Sequence, residues 1–258
     1  MLGKSLAILV VSPHERSGTT LIARLFADFF RIAGQAPLLF DTDVQHPKFS
    51  KYFPDAQLVD LGTTKGRMNL FDTLPVRTLQ PKIVDVTHRA YSDFFTLVRD
   101  IDLIAEARAN NVEPVIVYVP HYVAEDFERG FRLRAYFDCE FMLAENAYLG
   151  PAPQELHSLN AYWALKAHPV RLQLPSLDPM ALSLLEDERV SIAEFLMTSV
   201  PGYQPPPGER PPLPLAYLSF DARSKIRNWL KPTLREVQRA IHLVQTRQET
   251  PVTEPQPF

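Results

Sequence analysis

The residues best suited to chemistry stand in one short segment, residues 13–20, which reads P-H-E-R-S-G-T-T. It lies between an apolar run and a helical pattern, where backbone N–H groups at the positive end of a helix can bind phosphate. The usual phosphate-binding loop is G-x-x-x-x-G-K-[ST]. Gly18 and Thr20 match its second glycine and its magnesium-binding hydroxyl. Pro13 and Thr19 stand where that loop has its first glycine and its lysine.

The flanking sequence predicts the elements that position this loop. Residues 6–11 have the length and residue types of a buried parallel strand. After the loop, apolar residues recur every three to four positions, as on one face of a helix. These are Leu21, Ile22, Leu25, Phe26, Phe29, Phe30 and Ala33. Gly34 is placed to end that helix as its C′ residue, and residues 37–40 form a second strand. The order predicts a right-handed βαβ unit.

The rest of the chain continues this alternation. Further strands are predicted at 82–86, 114–119, 140–143 and 170–174, and helices at 92–110, 124–136, 156–167 and 180–185. Such a pattern predicts a doubly wound α/β fold, with a mainly parallel sheet and helices on both faces. Ligands of such folds bind beyond the carboxyl ends of the strands. Helices at 222–230 and 232–245 form a C-terminal helical extension, and Pro232 begins the second.

Proline usage predicts the domain organisation. The chain has 24 prolines and 9 glycines, and the prolines concentrate at 201–214 and near the C-terminus. We predict an α/β domain (1–200), a proline-rich linker (201–214), a helical extension that packs on the domain (215–248) and a disordered tail (249–258). Basic residues in the extension leave peripheral contact with a membrane as the alternative to packing.

Composition bounds the compartment and the partners. A net charge of −3 and a pI near 6.2 argue against a broadly basic nucleic-acid-binding surface. Cys139 stands alone, so no intramolecular disulfide can form, and we expect it to be buried and inert. Because residues 6–11 are too short for a membrane span, we expect a soluble, cytoplasmic protein.

The loop and the segments after it resemble the ParA/MinD family, ATPases with a deviant, lysine-containing P-loop. The resemblance covers residues 5 to about 200 in layout and 8–47 in motif. The second strand of that family ends in D-x-D-P-Q, and residues 41–45 read D-T-D-V-Q. A third strand there ends in an aspartate that helps to hold magnesium, for which Asp85 is the candidate. A late strand ends in a proline turn beside adenine, where Pro175 stands.

This resemblance implies a P-loop NTPase-like fold with ATP and Mg²⁺ as cofactors. Magnesium would be held by Thr20, Asp41 and Asp85, and the two aspartates would also be the catalytic residues. Nucleotide would be bound by His14, Arg16, Ser17, Gly18, Thr19, Thr20, Asp43, Pro175 and Asp178. The family forms face-to-face dimers around nucleotide, so a homodimer or another protein partner is expected.

The loop departs from the family where positive charge matters. His14 stands at the signature lysine and Thr19 at the phosphate-binding lysine, while Glu15 replaces a glycine. Positive charge could come instead from Arg16, Lys65 and Arg67. Losing one charged phosphate contact costs a few kcal/mol of transition-state stabilisation. We therefore expect weak or absent ATP hydrolysis and a pseudo-ATPase that acts through protein association.

Two other interpretations start from the same loop. Residues 16–21 read R-S-G-T-T-L and resemble the loop with which sulfotransferases bind the 5′-phosphosulfate of PAPS without a lysine. A strand ending in D-T-D-x-Q is not usual in that family. The other interpretation is an interaction protein on a P-loop fold that performs no catalysis.

A further hypothesis concerns histidines that follow predicted strands. These are His14, His46, His88 and His121. Together with Asp41, Asp43 and Asp85 they could bind zinc or another metal, although no H-x-x-H or C-x-x-C spacing is present. Asn146 is left open between a base contact and a turn residue.

Overall fold

Seven parallel strands form a single sheet in the computed structural model, which describes residues 5–187, 191–194 and 220–247. The strands are β1 Ser5–Val11, β2 Leu38–Asp41, β3 Gln57–Leu58, β4 Lys82–Val86, β5 Val112–Tyr118, β6 Glu140–Asn146 and β7 Arg171–Leu174. Their order is β3-β2-β4-β1-β5-β6-β7, and every pairing is parallel. The chain therefore winds outward from β1 in both directions, which confirms the predicted doubly wound α/β fold.

Helices cover both faces of this sheet. They are α1 Thr19–Ile32, α2 Phe49–Tyr52, α3 Thr64–Thr73, α4 Tyr91–Asp100, α5 Leu103–Ala109, α6 Ala124–Tyr136, α7 Asn160–Lys166, α8 Pro179–Asp187 and α9 Phe220–Arg247. Alternate residues of β1 enter two separate cores: Ile8 and Val10 pack with α1 and α9, while Leu9 and Val11 pack with α4 and α6. A strand buried on both faces explains why residues 6–11 are continuously apolar.

The ends of α1 are set by two glycines. Gly18 precedes the helix with a φ of +100°, and Gly34 follows it with a φ of +76°. The Gly34 N–H donates to the Arg31 carbonyl at 3.0 Å, and the Gln35 N–H donates to the Phe30 carbonyl at 2.9 Å. These bonds satisfy carbonyls at the helix end, so the prediction of Gly34 as the C′ residue is confirmed.

Two predicted helices differ in the structure. The helix expected over 92–110 is broken into α4 and α5 at Asp102, whose φ is +50°. The break lets apolar residues of both halves, including Val98 and Ile104, reach the same core. The helix expected over 156–167 begins as a 3₁₀ turn, Gln154–Ser158, before α7. The sequence analysis also missed α2, β3 and α3, because β3 is a two-residue, exposed edge strand and α3 buries little apolar surface.

The C-terminal helices predicted on either side of Pro232 form one continuous helix, α9. Proline removes a backbone donor within a helix, yet the helix continues through Pro232 because both halves pack against the domain. The Thr233 hydroxyl donates to the Trp229 carbonyl at 2.7 Å. Ile226 and Val237, on opposite sides of the proline, are both buried against the same core.

The apolar stripe of α9 is covered by the sheet domain. Contacts run from α9 to α1, α8 and β7. No helix within the described ranges is long and apolar enough to cross a membrane. The predicted linker (201–214) and tail (249–258) lie outside the described residues.

Candidate functional site

A cavity of about 560 Å³ opens at the carboxyl ends of β1, β2, β4, β6 and β7. Of the residues expected to form a nucleotide site, its walls contain His14, Arg16, Gly18, Thr19, Thr20, Asp41, Asp43, Asp85 and Pro175. Ser17 is buried beneath the loop, and Asp178 lies outside the lining. The topology thus brings together segments that are more than 150 residues apart in sequence.

The loop between β1 and α1 is held by its own backbone and by Asn146 at the end of β6. The Ser17 hydroxyl donates to the His14 carbonyl at 3.2 Å, and the Asn146 side-chain amide donates to the Ser17 carbonyl at 3.3 Å. A Cβ atom on Gly18 would lie 2.5 Å from the Asn146 Nδ2. Glycine is therefore needed at position 18 for its φ and for this close approach.

Asn146 also behaves as a turn residue. Its Oδ1 accepts the Tyr148 N–H at 3.1 Å, so both ends of its side chain are used within the protein. Asn146 ends β6, and β5 separates this strand from β1, which leads into the loop. Its position at the carboxyl end of a parallel strand was the sequence signal that places it at this edge.

Thr20 and Asp85 meet at the centre of the site. The Thr20 hydroxyl donates to Asp85 Oδ2 at 2.7 Å. The other carboxylate oxygen, Oδ1, is buried and has no hydrogen-bond partner among the described residues. Burial, followed by the nearby charge of Asp41, raises the pKa of Asp85 to about 7.

Asp41 and Asp43 complete what we call the acidic cluster, namely Asp41, Asp43 and Asp85. The two carboxylate oxygens of Asp41 accept the N–H groups of Asp43 and Ser50, each at 3.0 Å. Burial raises the pKa of Asp41. Asp43 accepts the His46 N–H at 3.0 Å and lies 3.6 Å from the Arg89 guanidinium. Three carboxyl groups in one wall favour a bound cation over a bare anion there.

Positive charge reaches the cavity from residues that the sequence analysis did not single out. Arg24 lies one turn after Thr20 on α1, with its guanidinium 3.5 Å from the centre of the Tyr52 ring. Lys48 and Arg89 also line the cavity. Neither could be assigned from sequence, because no pattern marks which loop cation faces a site.

Lys65 and Arg67 do not line this cavity. Both lie on α3, and Arg67 borders a separate cavity between α3 and the end of α4. They are not brought to the loop as suggested, since α3 follows the edge strand β3, which β2 and β4 separate from β1.

The end of the cavity formed by β7 and α9 is apolar. Pro175, Leu177, Leu182 and Trp229 line it, and the Trp229 indole N–H donates to the Pro175 carbonyl at 2.7 Å. Trp229 is 6% exposed. It belongs to α9, so its place in the site depends on how that helix packs and could not be predicted from local sequence.

Asp178 organises structure beside this apolar end. Its Oδ1 accepts the N–H groups of Met180 and Ala181, each at 3.1 Å, at the start of α8. Those N–H groups, first that of Ala181, together with Lys225 at 3.3 Å, lower the pKa of Asp178.

The histidines are not gathered into a metal-ligand set. His14, His46 and His88 line the cavity, whereas the nearest partner of the His14 ring is Asp126, at 3.0 Å from Nδ1. Within the part of the chain that the structure describes, no three His, Cys, Asp or Glu side chains are grouped to hold a metal ion. Cys139 is half-buried, and burial raises the pKa of its thiol to about 12.

Comparison of the chain with protein families, with characterised proteins and with solved structures finds no match.

Proposed function

We propose that this protein binds a magnesium–nucleoside triphosphate, with ATP as the expected ligand, and acts through protein association in the manner of a ParA/MinD-like pseudo-ATPase. The single observation that carries the proposal is the contact between Thr20 and Asp85, with the buried, unpartnered Oδ1 of Asp85 beside it. P-loop proteins hold magnesium with such a pair. The hydroxyl lies in the first turn of the helix after the phosphate loop, and the carboxylate lies at the end of a strand that neighbours the loop's own strand in the sheet.

Magnesium fits these residues chemically. It usually binds through one or two carboxylates, several waters and the phosphates of its ligand, so a closed set of three protein ligands is not required. Thr20 and Asp85 would contact the ion or its waters, and Asp41 would add negative charge behind them. The orphaned Oδ1 is an acceptor that a cation or its water would satisfy.

The nucleotide's other parts have matching surroundings. Backbone N–H groups of residues 17–20 lie at the start of α1, where the helix dipole favours phosphate. At the other end, Pro175 and Trp229 offer an apolar wall for a base. A cavity of about 560 Å³ is in the range of small-molecule sites.

Slow or absent hydrolysis follows from the loop. Thr19 stands in the place of the lysine that contacts the transferring phosphoryl group, and Glu15 is exposed nearby. Without that charge the transition state loses electrostatic stabilisation. Binding with little turnover suits a protein whose output is association.

The acidic cluster bears on the sulfotransferase alternative. Three carboxyl groups beside the loop would repel the phosphates of PAPS when no cation lies between them. A magnesium–nucleotide complex contains a cation, which the carboxyl groups of the acidic cluster would attract. This contrast is why we place nucleotide binding first.

The test is titration calorimetry with Mg-ATP, Mg-GTP and PAPS. In Thr20→Val, which removes the hydroxyl and keeps the shape, we expect affinity for Mg-ATP to fall about tenfold or more. Thr73→Val is the matched control, because Thr73 lies on α3 outside the cavity lining and its hydroxyl donates to the Asn69 carbonyl of its own helix. Absence of Mg-ATP and Mg-GTP binding at millimolar concentration contradicts the proposal, and tight binding of PAPS alone supports the sulfotransferase alternative.

A further inference from the structure

A histidine–carboxylate pair lies beside the phosphate loop and is not used by the magnesium site. The His14 ring lines the cavity, with 42% of its side chain exposed, and its Nδ1 lies 3.0 Å from Asp126 Oδ1. Asp126 belongs to the first turn of α6, and its side chain is fully buried. Burial raises the pKa of Asp126, and its contacts with the His121 N–H and the His14 ring offset the cost of burying it.

Hydrogen bonding fixes the orientation of the ring. Asp126 Oδ2 accepts the His121 N–H at 2.8 Å, and Oδ1 accepts from the His14 ring when the carboxyl group is ionised. His14 Nδ1–H is then the donor to Oδ1. The ring's other nitrogen, Nε2, points away from Asp126 and is bare when the imidazole is neutral.

A bare Nε2 repels phosphate, whereas a protonated one donates a charged hydrogen bond to it. The contact with Asp126 holds the ring in place through Nδ1. We propose that His14, positioned by Asp126, takes up a proton from solvent as the phosphate chain binds and so supplies the positive charge that the loop lacks. This inference rests on the proposed nucleotide site and adds a pH-dependent phosphate contact to it.

Other charged groups around the ring set the background of this response. His121 faces it with ring centres 5.7 Å apart, and Glu15 and Arg16 flank it in its own loop. His88 and Arg89 line the cavity after β4, with the acidic cluster, His46 and Lys48 on the wall formed after β2. Of these residues, His121 also contacts Asp126, but through its backbone N–H, whereas His14 contacts it through its ring. Removing His14 alone should therefore isolate its part of the pH dependence.

The experiment uses inorganic tripolyphosphate with EDTA, so that neither a base nor a metal contributes. Calorimetry at pH 7.5 in buffers of different ionisation enthalpy counts the protons taken up on binding. On binding, wild-type protein should take up about half a proton to one proton more than His14→Gln does. At pH 6 it should bind tripolyphosphate about tenfold more tightly than His14→Gln does. His242→Gln, at an exposed position of α9 outside the cavity lining, is the matched control and should behave as wild type.

Asp126→Asn tests the positioning role. Without the carboxylate, the pH at which the affinity falls should shift to lower values while His14 remains present. A thermal unfolding curve checks that this variant is folded. If it is not, His14→Gln still decides the matter, because position 14 is partly exposed and tolerates the change.

The outcomes separate the two proposals. Equal proton uptake in wild-type protein and His14→Gln overturns the role of His14, while Mg-ATP binding still upholds the nucleotide site. Equal losses in His14→Gln and His242→Gln also overturn it. A His14-dependent response to tripolyphosphate without any Mg-ATP binding upholds the phosphate contact and contradicts the nucleotide proposal. Failure to bind either ligand contradicts both.

Discussion

At the scale of single residues, Asp85 is held in an environment that opposes its charge. It is 5% exposed, its Oδ1 lacks a hydrogen-bond partner among the described residues, and its pKa is raised to about 7 by burial and by Asp41. Between pH 4 and pH 7, an unfolded chain has this carboxyl ionised while the folded one keeps its proton. The folded state then binds more protons, so stability falls as the pH rises through this range.

Asp85→Asn should remove that pH dependence. Relative to wild-type protein in EDTA, the free energy of unfolding of the variant should rise by about 2–4 kcal/mol between pH 5 and pH 8, because raising the pKa of Asp85 to about 7 corresponds to that order of energy. Urea denaturation at several pH values measures it. Asp72→Asn, on an exposed position of α3, controls for loss of a negative charge. Parallel curves for wild-type protein and Asp85→Asn would show that Asp85 is ionised in the fold.

At the scale of elements, the start of α1 depends on a glycine and on its neighbour in β6. Gly18→Ala should lower the free energy of unfolding by about 2–4 kcal/mol, since it combines a positive φ with a Cβ contact of 2.5 Å to Asn146. Gly34→Ala is the matched control. Its φ is +76° with nothing within 4 Å of the added Cβ, so only about 1 kcal/mol is expected.

Chemical denaturation of both variants distinguishes backbone strain from crowding. The difference between the two losses reports the contact with Asn146. Equal losses would mean that the loop shifts freely away from β6, and that Asn146 does not fix the phosphate loop.

The long helix α9 contains a proline that its packing overrides. Pro232→Ala restores the N–H and removes the ring clash, so we expect the free energy of unfolding, measured by urea denaturation, to rise by about 1–3 kcal/mol. Lys231→Ala, at the adjacent exposed position, should change it by less than about 0.5 kcal/mol. A loss in Pro232→Ala would show that a bend at the proline is needed to seat Trp229 beside Pro175.

At the scale of the whole molecule, the proposal concerns turnover and assembly. We expect steady-state ATP hydrolysis below about one turnover per minute, under the usual range of enzymes. Thr19→Lys alone should not restore it, because Pro13, Glu15 and Arg16 still alter the glycine-rich geometry. A coupled phosphate-release assay measures both, and turnover above that limit in the wild-type protein would refute the pseudo-ATPase assignment.

Assembly should depend little on nucleotide. Under the proposed ParA/MinD-like function, His14 would occupy the place of the signature lysine that reaches the partner's phosphates. In this chain its ring contacts Asp126 of its own α6. Any dimer should then rest on apolar contacts and have the same affinity with and without Mg-ATP. Sedimentation at several concentrations, at pH 6 and pH 8, tests this. A monomer that dimerises only with ATP, equally at both pH values, would restore an ordinary nucleotide switch.

Sequence alone determined the layout from β1 to α1 and the general order of strands and helices. Local residue patterns predict both. Residues 6–11 are apolar throughout because both faces of β1 are buried, and α1 repeats its apolar positions along one face. Gly34 was placed correctly for the same reason, since the end of a helix is a local conformational event. The position of Asp41, Asp85 and the loop at one edge followed from the rule that parallel strands share a carboxyl edge.

Tertiary structure alone decided the partners of these residues. Asp126 reaches His14 across 112 positions, Asn146 reaches Ser17 across 129, and Trp229 enters the cavity from a helix that follows the undescribed segment 195–219. Such contacts carry no periodic signal, because they depend on which helix ends and loops the sheet brings together. The same is true of the continuity of α9 through Pro232, where burial on both sides of the proline outweighs a local tendency to stop.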